Sequence, residues 1–464
     1  MKKIVLAFAA LFLCCGLFAQ EITLEDIWVK GTFRSKSIAG IRSMNNGVNY
    51  CILTSEGIEK YSYSDGKKVE TIVSFSALKF NTDKEYVFEY EFNGDETKVL
   101  LATNPQFIYR RSYLANYYVY DLSSKQITPI DNEKVRLADF SPNGSMVAYV
   151  KDNNLFVLSL ADMSVRQITT DGKFNEKIYG TTDWVYEEEF AITKGFFWSP
   201  DSEKIAFYSF DESNVKEFTI PYYGTLYPVQ YSYKYPKAGE DNSVIGIHVF
   251  DLKTATTHDI DLGPNKDIYV PRLQWTPNNE VFVHKLNRHQ IHYKLFLVNC
   301  NDYRLSKIYD ERNECYIEQA ENVTFLADKQ NFIIKSEKDG YMNLYKVNMY
   351  TKQIDPITSG KYDVDQICYI DPKSEKIYFT AAQSEAYNRE LLVVDKKKKV
   401  KKLSGKIGTY TADFSANGKY YISSFSDTDT PTIYTINDNT GKVLLTLEDN
   451  KELKETLKKY GKER

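Results

Sequence analysis

The chain has 464 residues, with 37 Tyr, 26 Phe and a formal net charge of −4. That length exceeds one ordinary hydrophobic core, so several domains or a repeat architecture are required. The aromatic content suits pleated, half-buried surfaces and tilts the reading towards an all-β protein. The charge balance gives no footing for nucleic-acid binding.

The N-terminus reads as a leader rather than as part of the fold. Lys2 and Lys3 precede an apolar run over residues 4–18 that is short for a membrane span. A signal peptide over 1–19 is expected, with Ala19 before the cut and Gln20 as the first mature residue. Bulky Leu13 argues against a lipidated Cys14. Export to the periplasm or cell surface follows as an expectation, and with it an oxidising compartment. The next stretch, 20–40, carries Ile22, Leu24, Ile27 and Trp28 without obvious strand character.

From residue 41 onward one pattern recurs. An aromatic or apolar residue leads into a Ser/Pro/Asn/Gly turn, and an alternating strand follows. It stands as FSPNGSMVAYV at 140–150, FWSPDSEKIAFY at 197–208, LQWTPNNEVFVH at 273–284, YIDPKSEKIYFT at 369–380 and FSANGKYYISSF at 414–425. FLADKQNFIIK at 325–335 and weaker copies near 41–53 and 90–102 complete the series. Each copy is trailed by a second strand signal, such as NYYVYDL or NLFVLSL. Units of this size, with about four strands each, predict a β-propeller of about eight four-stranded blades over 41–447. A Tyr- and Pro-rich excess at 219–243 reads as an insertion projecting from one blade.

The basic run KKKKVKK at 396–402 sits between strand-like runs and reads as a solvated turn. Four cysteines remain after the leader, and four allow three pairings. Cys300 and Cys315 flank an expected hairpin and are the preferred pair, with free thiols the alternative. The five histidines form no H-E-x-x-H, and although His289 and His292 lie close, no third ligand accompanies them. No metal and no cofactor are expected. The chain closes on an amphipathic helix within 448–464, with Leu453, Leu457 and Tyr460 on one face.

One motif stands apart. TTDWVYEEEF, 181–190, sets Glu187, Glu188 and Glu189 beside Trp184 and Tyr186. On composition alone such a run is a solvated face, because adjacent like charges need water or a cation. Together with FWSPDSEKIAFYSFDES, YKYPKAGEDN, SEKDGYMNLYKV and YRRSY at 109–113, however, it resembles the N-terminal propeller of the dipeptidyl-peptidase IV family of serine exopeptidases. The resemblance spans residues 21–464, and Tyr109 and Arg111 depart from the family pattern.

The resemblance implies that Glu188 and Glu189 bind the α-amine of a peptide N-terminus. It implies that Arg110 contacts a substrate carbonyl and braces the glutamates, with Trp184, Tyr186 and Glu187 in support. It also implies an α/β-hydrolase partner domain bearing a Ser-Asp-His triad. No G-x-S-x-G occurs in this chain, so no catalytic residue is assigned to it. Residues 20–40 and the C-terminal helix are expected to face that absent domain. The family's dimer arm falls at 219–243, which makes a homodimer a further expectation. Two functional readings stand: the substrate-gating half of a secreted dipeptidyl peptidase acting on Pro- or Ala-second N-termini, or a non-catalytic peptide-binding propeller.

Overall fold

The computed structural model describes residues 21–38, 40–80, 85–318 and 321–460. The expected leader over 1–19 lies outside them. Among the described residues there are seven four-stranded sheets, one five-stranded sheet and a two-stranded ribbon. The chain is an eight-bladed β-propeller, with blades one to eight at 42–74, 87–129, 136–167, 177–259, 268–312, 324–356, 364–402 and 409–448. Among the described residues three short α-helices accompany it: α1 (Leu24–Trp28), α2 (Trp184–Glu188) and α3 (Lys451–Lys459).

The recurring turn has a local cause. In blades three, four and eight the motif serine accepts the amide proton of the residue five ahead, Met146, Lys204 or Tyr420, at 2.8–3.1 Å. Its own hydroxyl donates to the Asn or Asp two residues on. The serine thus closes the hairpin from inside, satisfying groups that would otherwise need water. These turns also bond to their neighbours. Asn143 N–H donates to Ser202 Oγ at 3.0 Å, and Asp201 N–H donates to Asn279 Oδ1 at 3.1 Å. The motif therefore fixes a hairpin and its distance from the next blade.

By contact the chain divides into two compact units. One holds Thr71–Val364 with Leu53–Glu59. Its cores lie between successive sheets: Val150, Leu155 and Val157 of blade three meet Phe196, Ile205 and Phe207 of blade four. Blades four and five share a larger core that includes Tyr208, Phe210, Ile247, Val270 and Val283. Burying such faces is what a lone blade cannot do.

The other unit holds the described residues up to Ile52, Lys60–Glu70 and the described residues from Asp365 on. In it Tyr63 of blade one stacks on Tyr420 of blade eight, with centroids 5.6 Å apart and planes 4° apart. The terminal segments also meet here. Asn450 Nδ2 donates to Lys36 O and Thr432 O at 3.0 and 2.7 Å, while Lys36 N–H donates to Asn450 Oδ1 at 2.7 Å. Phe33 packs edge-on against Tyr460. The helix stripe is thus partly covered by the N-terminal segment, and Leu453 is buried. The expectation that this stripe faces a hydrolase domain did not include the cover from the N-terminal segment, because a contact across more than 400 residues has no local signal. Leu24 and Trp28 of α1 stay 75% and 72% exposed.

The expected Cys300–Cys315 bridge is absent: both are free thiols. Register explains it. Val298 pairs with Leu305 at the turn end of the hairpin, and His292 pairs with Arg312 at the far end. Cys300 lies at the turn and Cys315 beyond the opposite end. A strand of that length separates them by roughly 20 Å, whereas a disulfide needs Cα atoms within about 7 Å.

Candidate functional site

The Trp-Glu motif owes its position to an interruption in blade four. Lys204–Asp211 pairs at one end with Lys177–Tyr179 and at the other with Phe196–Trp198. The edge is one strand broken in the middle, and α2 occupies the break. Two glycines close the excursion where the chain leaves and rejoins the sheet. Gly195 N–H donates to Gly180 O at 3.0 Å. Gly180 has φ +66°, and a Cβ on Gly195 would lie 2.6 Å from Thr181 O. Only glycine tolerates such a crossing.

Asp183 caps α2. Its Oδ1 accepts Tyr186 N–H at 2.9 Å and its Oδ2 accepts the Ser243 hydroxyl at 2.7 Å. Burial pushes the Asp183 carboxyl up to about 6. Nearby Glu212 is pushed up to about 8, first by burial and then by the charge of Asp183.

In a helix successive residues turn about 100° apart, so the three glutamates separate. Glu187 is fully buried, Glu188 keeps 18% of its side chain exposed, and Glu189 is exposed. Glu187 Oε1 accepts the amide protons of Arg111 and Ser112, both at 2.8 Å. This latches the 109–113 turn onto α2 across 75 residues of sequence. Arg111 Nη1 returns a bond to Glu187 O at 2.8 Å. Burial pulls the Arg136 guanidinium below its ordinary value, and the Glu187 carboxylate is the main influence opposing it.

Glu188 Oε2 lies 3.8 Å from Arg110 Nη1 and 3.7 Å from Arg111 Nη1. These are ion-pair distances, longer than hydrogen bonds. Arg110 is 73% exposed on its side chain. Among the described residues Glu189 has no ion-pair partner. The lip therefore presents two carboxylates and one arginine with most of their hydrogen-bonding capacity unused. Arg110 and Arg111 flank Glu188 at nearly equal distances, and Arg111 also bonds to the helix directly.

The aromatic neighbours divide their work. Tyr186 is core: its hydroxyl accepts Val270 N–H at 2.7 Å, and its ring packs on Phe210. Trp184 meets Tyr235 edge-on at 4.3 Å. Tyr109, which precedes Arg110, packs on Tyr233 at 5.7 Å. Both partners belong to the base of the ribbon formed by Glu217–Tyr222 and Val229–Lys234 and the residue that follows it. The ribbon thus supports both site-bearing segments. Sequence reasoning singled out Glu187, Glu188, Glu189, Arg110, Trp184 and Tyr186, and the structure brings all six to α2 and the adjoining turn. It did not single out Arg111, Ser112, Asp183 or Tyr235. For Asp183 a signal existed: a cap residue stands directly before the helix.

A Ser–His–Asp chain also occurs on blade four. Ser209 Oγ is 2.8 Å from His248 Nε2, and His248 Nδ1 is 2.6 Å from Asp259 Oδ1. Ser209 is only 6% exposed, so the chain ties three strands together and offers no accessible nucleophile.

Residues 93–432 match the family model described as the dipeptidyl peptidase IV N-terminal region. Dipeptidyl peptidase 4 of Trichophyton rubrum is 30% identical over 454 residues, covering 92% of this chain and 57% of that protein. Dipeptidyl peptidase 4 of Arthroderma otae is 29% identical, covering 80% of this chain and 51% of its own length. The crystal structure of Porphyromonas gingivalis dipeptidyl peptidase 4 superposes with a TM-score of 0.90 at 36% identity, covering 95% of this chain and 63% of that one. The chain spans about half to three fifths of the curated relatives it matches. With its eight blades and its glutamate-bearing helix, it belongs to the dipeptidyl peptidase IV family, as that family's N-terminal region.

Proposed function

We propose that this chain is the substrate-gating propeller of an exported dipeptidyl peptidase, and that it binds the α-amine of a peptide through Glu188 and Glu189. The observation that carries the reading is the lip itself: adjacent carboxylates, half-buried and exposed, of which Glu188 has Arg110 and Arg111 at 3.7–3.8 Å and Glu189 has no ion-pair partner among the described residues. An ammonium group supplies the short charge-assisted hydrogen bonds that these arginines do not make. Arg110, exposed beside them, is free to donate to a peptide carbonyl through its planar fork. With the amine fixed at one wall, the number of residues before the cut is fixed as well, which is how a dipeptide would be measured.

Cleavage requires a nucleophile, base and oxyanion hole. In this reading they come from an α/β-hydrolase domain acting with the propeller. The substrates are peptides with Pro or Ala second, and two copies pair through the 217–234 ribbon. The test is calorimetric titration with Ala-Pro-Gly and its N-acetylated form. The free amine should bind and the acetylated peptide should not. Glu188→Gln with Glu189→Gln should weaken binding roughly 10- to 100-fold, the worth of one or two charge-assisted bonds. Equal affinity for the two peptides would sink the reading.

A further inference from the structure

One end of blade seven gathers lysines from two turns. Lys373 and Lys376 stand on the turn between its first two strands, and the run from Lys396 to Lys399 on the turn between its last two. Ile377 pairs with Val394, so these turns lie side by side. Lys401 follows on the outermost strand. Blade eight extends the same end. Tyr369 stacks on Phe414 with centroids 5.2 Å apart and planes 11° apart, and these two residues lead into the 371–376 and 415–419 turns. Lys419 thus comes up beside blade seven. Asn439 N–H donates to Lys419 O at 3.1 Å, which brings the turn bearing Lys442 alongside. The lysine run taken alone is a solvated turn, and the fold makes it part of a basic surface shared by two blades.

The carboxylates at this end are turned towards the backbone. Asp395 accepts the amide protons of Lys397 and Lys399, both at 2.9 Å, and Asp371 accepts those of Lys373 and Ser374 at 2.8 Å. Asp438 does the same for Thr440 and Lys442 at 2.9 and 3.1 Å. Each closes its own turn. Glu375 engages Lys396 at 3.2 Å, and Glu390 pairs with Lys402. Lys373, Lys376, Lys397, Lys398, Lys399 and Lys401 are exposed, and among the described residues none has an ion-pair partner within 4.0 Å. The chain as a whole carries a formal charge of −4. A positive end on a net-negative molecule orients it towards a negative surface.

We infer that this end of blades seven and eight is a docking surface for an anionic lipid bilayer. The residue type favours a surface over a single anion. No arginine stands on these turns, so nothing offers the planar fork that grips one phosphate from two sides. Lysines are mobile point charges that suit many headgroups at once. Their place on neighbouring hairpin tips lets several approach one plane together. Apolar groups stand among them: Val443, 55% exposed, follows Lys442, and exposed Pro372 precedes Lys373. At a bilayer the lysine stems and these tips lie at the headgroup level while the ammonium groups meet phosphates. An anionic polysaccharide would use the charges and leave Val443 and Pro372 without a role.

The test is co-sedimentation with vesicles of phosphatidylcholine, alone or with one third phosphatidylglycerol. At low salt the protein should sediment with the mixed vesicles and not with the neutral ones, and raised salt should release it. Each lysine near an anionic leaflet raises affinity about fivefold. Lys397→Gln with Lys398→Gln and Lys399→Gln should therefore weaken binding on the order of 100-fold. Lys173→Gln with Lys216→Gln and Lys266→Gln removes the same charge from other parts of the chain and should leave most of the binding. If the first variant disturbs folding, Lys373→Gln with Lys376→Gln reads the same surface from the neighbouring turn, with a loss of roughly 25-fold. A parent protein that ignores the mixed vesicles at low salt overturns the inference. Equal losses in the two triple variants also overturn it, since net charge and not this end would then govern binding. Binding to dextran sulfate without binding to the mixed vesicles would assign the surface to a polysaccharide and refute the lipid partner.

Discussion

Glu187 is the residue on which the site's geometry turns, although it is the glutamate least able to meet a ligand. A buried carboxylate accepting two backbone amides at 2.8 Å is strongly held. Removing it leaves the amides of Arg111 and Ser112 without acceptors and Arg136 without its main opposing charge. Glu187→Ala should destabilise the protein by about 2–4 kcal/mol in denaturant titration. It should also speed hydrogen exchange at the 111 and 112 amides. Unchanged exchange there would show that the turn is held by other contacts. The sequence alone shows three identical residues, and nothing in their spacing says which is structural. The helical turn decides it by sending successive side chains in different directions. Arg111 was illegible for a related reason: its role lies in a bond to a carbonyl 76 positions away.

At the scale of elements, α2 is a short helix held at its start by a carboxyl group whose pKa burial raises. Asp183 and Glu212 are each 6% exposed, and their pKa values rise to about 6 and about 8. A carboxyl whose folded pKa exceeds its unfolded value binds more protons when folded. Its contribution is fully present below the unfolded pKa, 3.8 for Asp and 4.5 for Glu, and is lost as pH rises through the folded value. Stability from this pair should therefore decline from about pH 4 to about pH 8. Glu212→Gln, which keeps the shape and removes the charge, should flatten that decline. Melting curves at pH 5 and pH 9 test it: the variant should lose less on going to pH 9 than the parent. A parallel loss in both proteins would mean that Glu212 ionises without penalty.

The repeated turn was the most readable feature of the elements, since one serine and one Asn or Asp write it locally. The broken strand of blade four was not readable, because its halves at 177–179 and 196–198 are rejoined only by their common partner. The cysteine pair misled for the same reason. Proximity in sequence across a hairpin places two residues together only when both lie at its turn, and Cys315 lies past the other end.

At the scale of the whole molecule, the blade count and the four strands per blade were legible because a propeller repeats one local rule. A break in the repeat also marked 219–243 as an insertion, but a repeat cannot reveal how a feature present once is built, and here it is the 217–234 ribbon. A two-stranded ribbon has little stability of its own. This one is anchored at its base, where Tyr233 and Tyr235 pack on Tyr109 and Trp184. Its tip is different: Tyr223, Leu226 and Tyr227 are 79%, 92% and 80% exposed. Apolar groups gathered at one exposed tip are the surface proposed above to pair two copies. The proposed occupant is a second copy of this protein. In light scattering after size exclusion, the chain should then show mass rising with concentration towards twice that of one copy. Tyr223→Ser with Leu226→Ser and Tyr227→Ser should hold it at one copy throughout. The base of the ribbon is untouched by these changes, so affinity for Ala-Pro-Gly should persist in the single-copy form. A parent protein that stays at one copy over the whole range would remove self-association as the reason for the tip. Loss of peptide affinity in the triple variant would instead show that the tip reports to the site through Tyr233 and Tyr235.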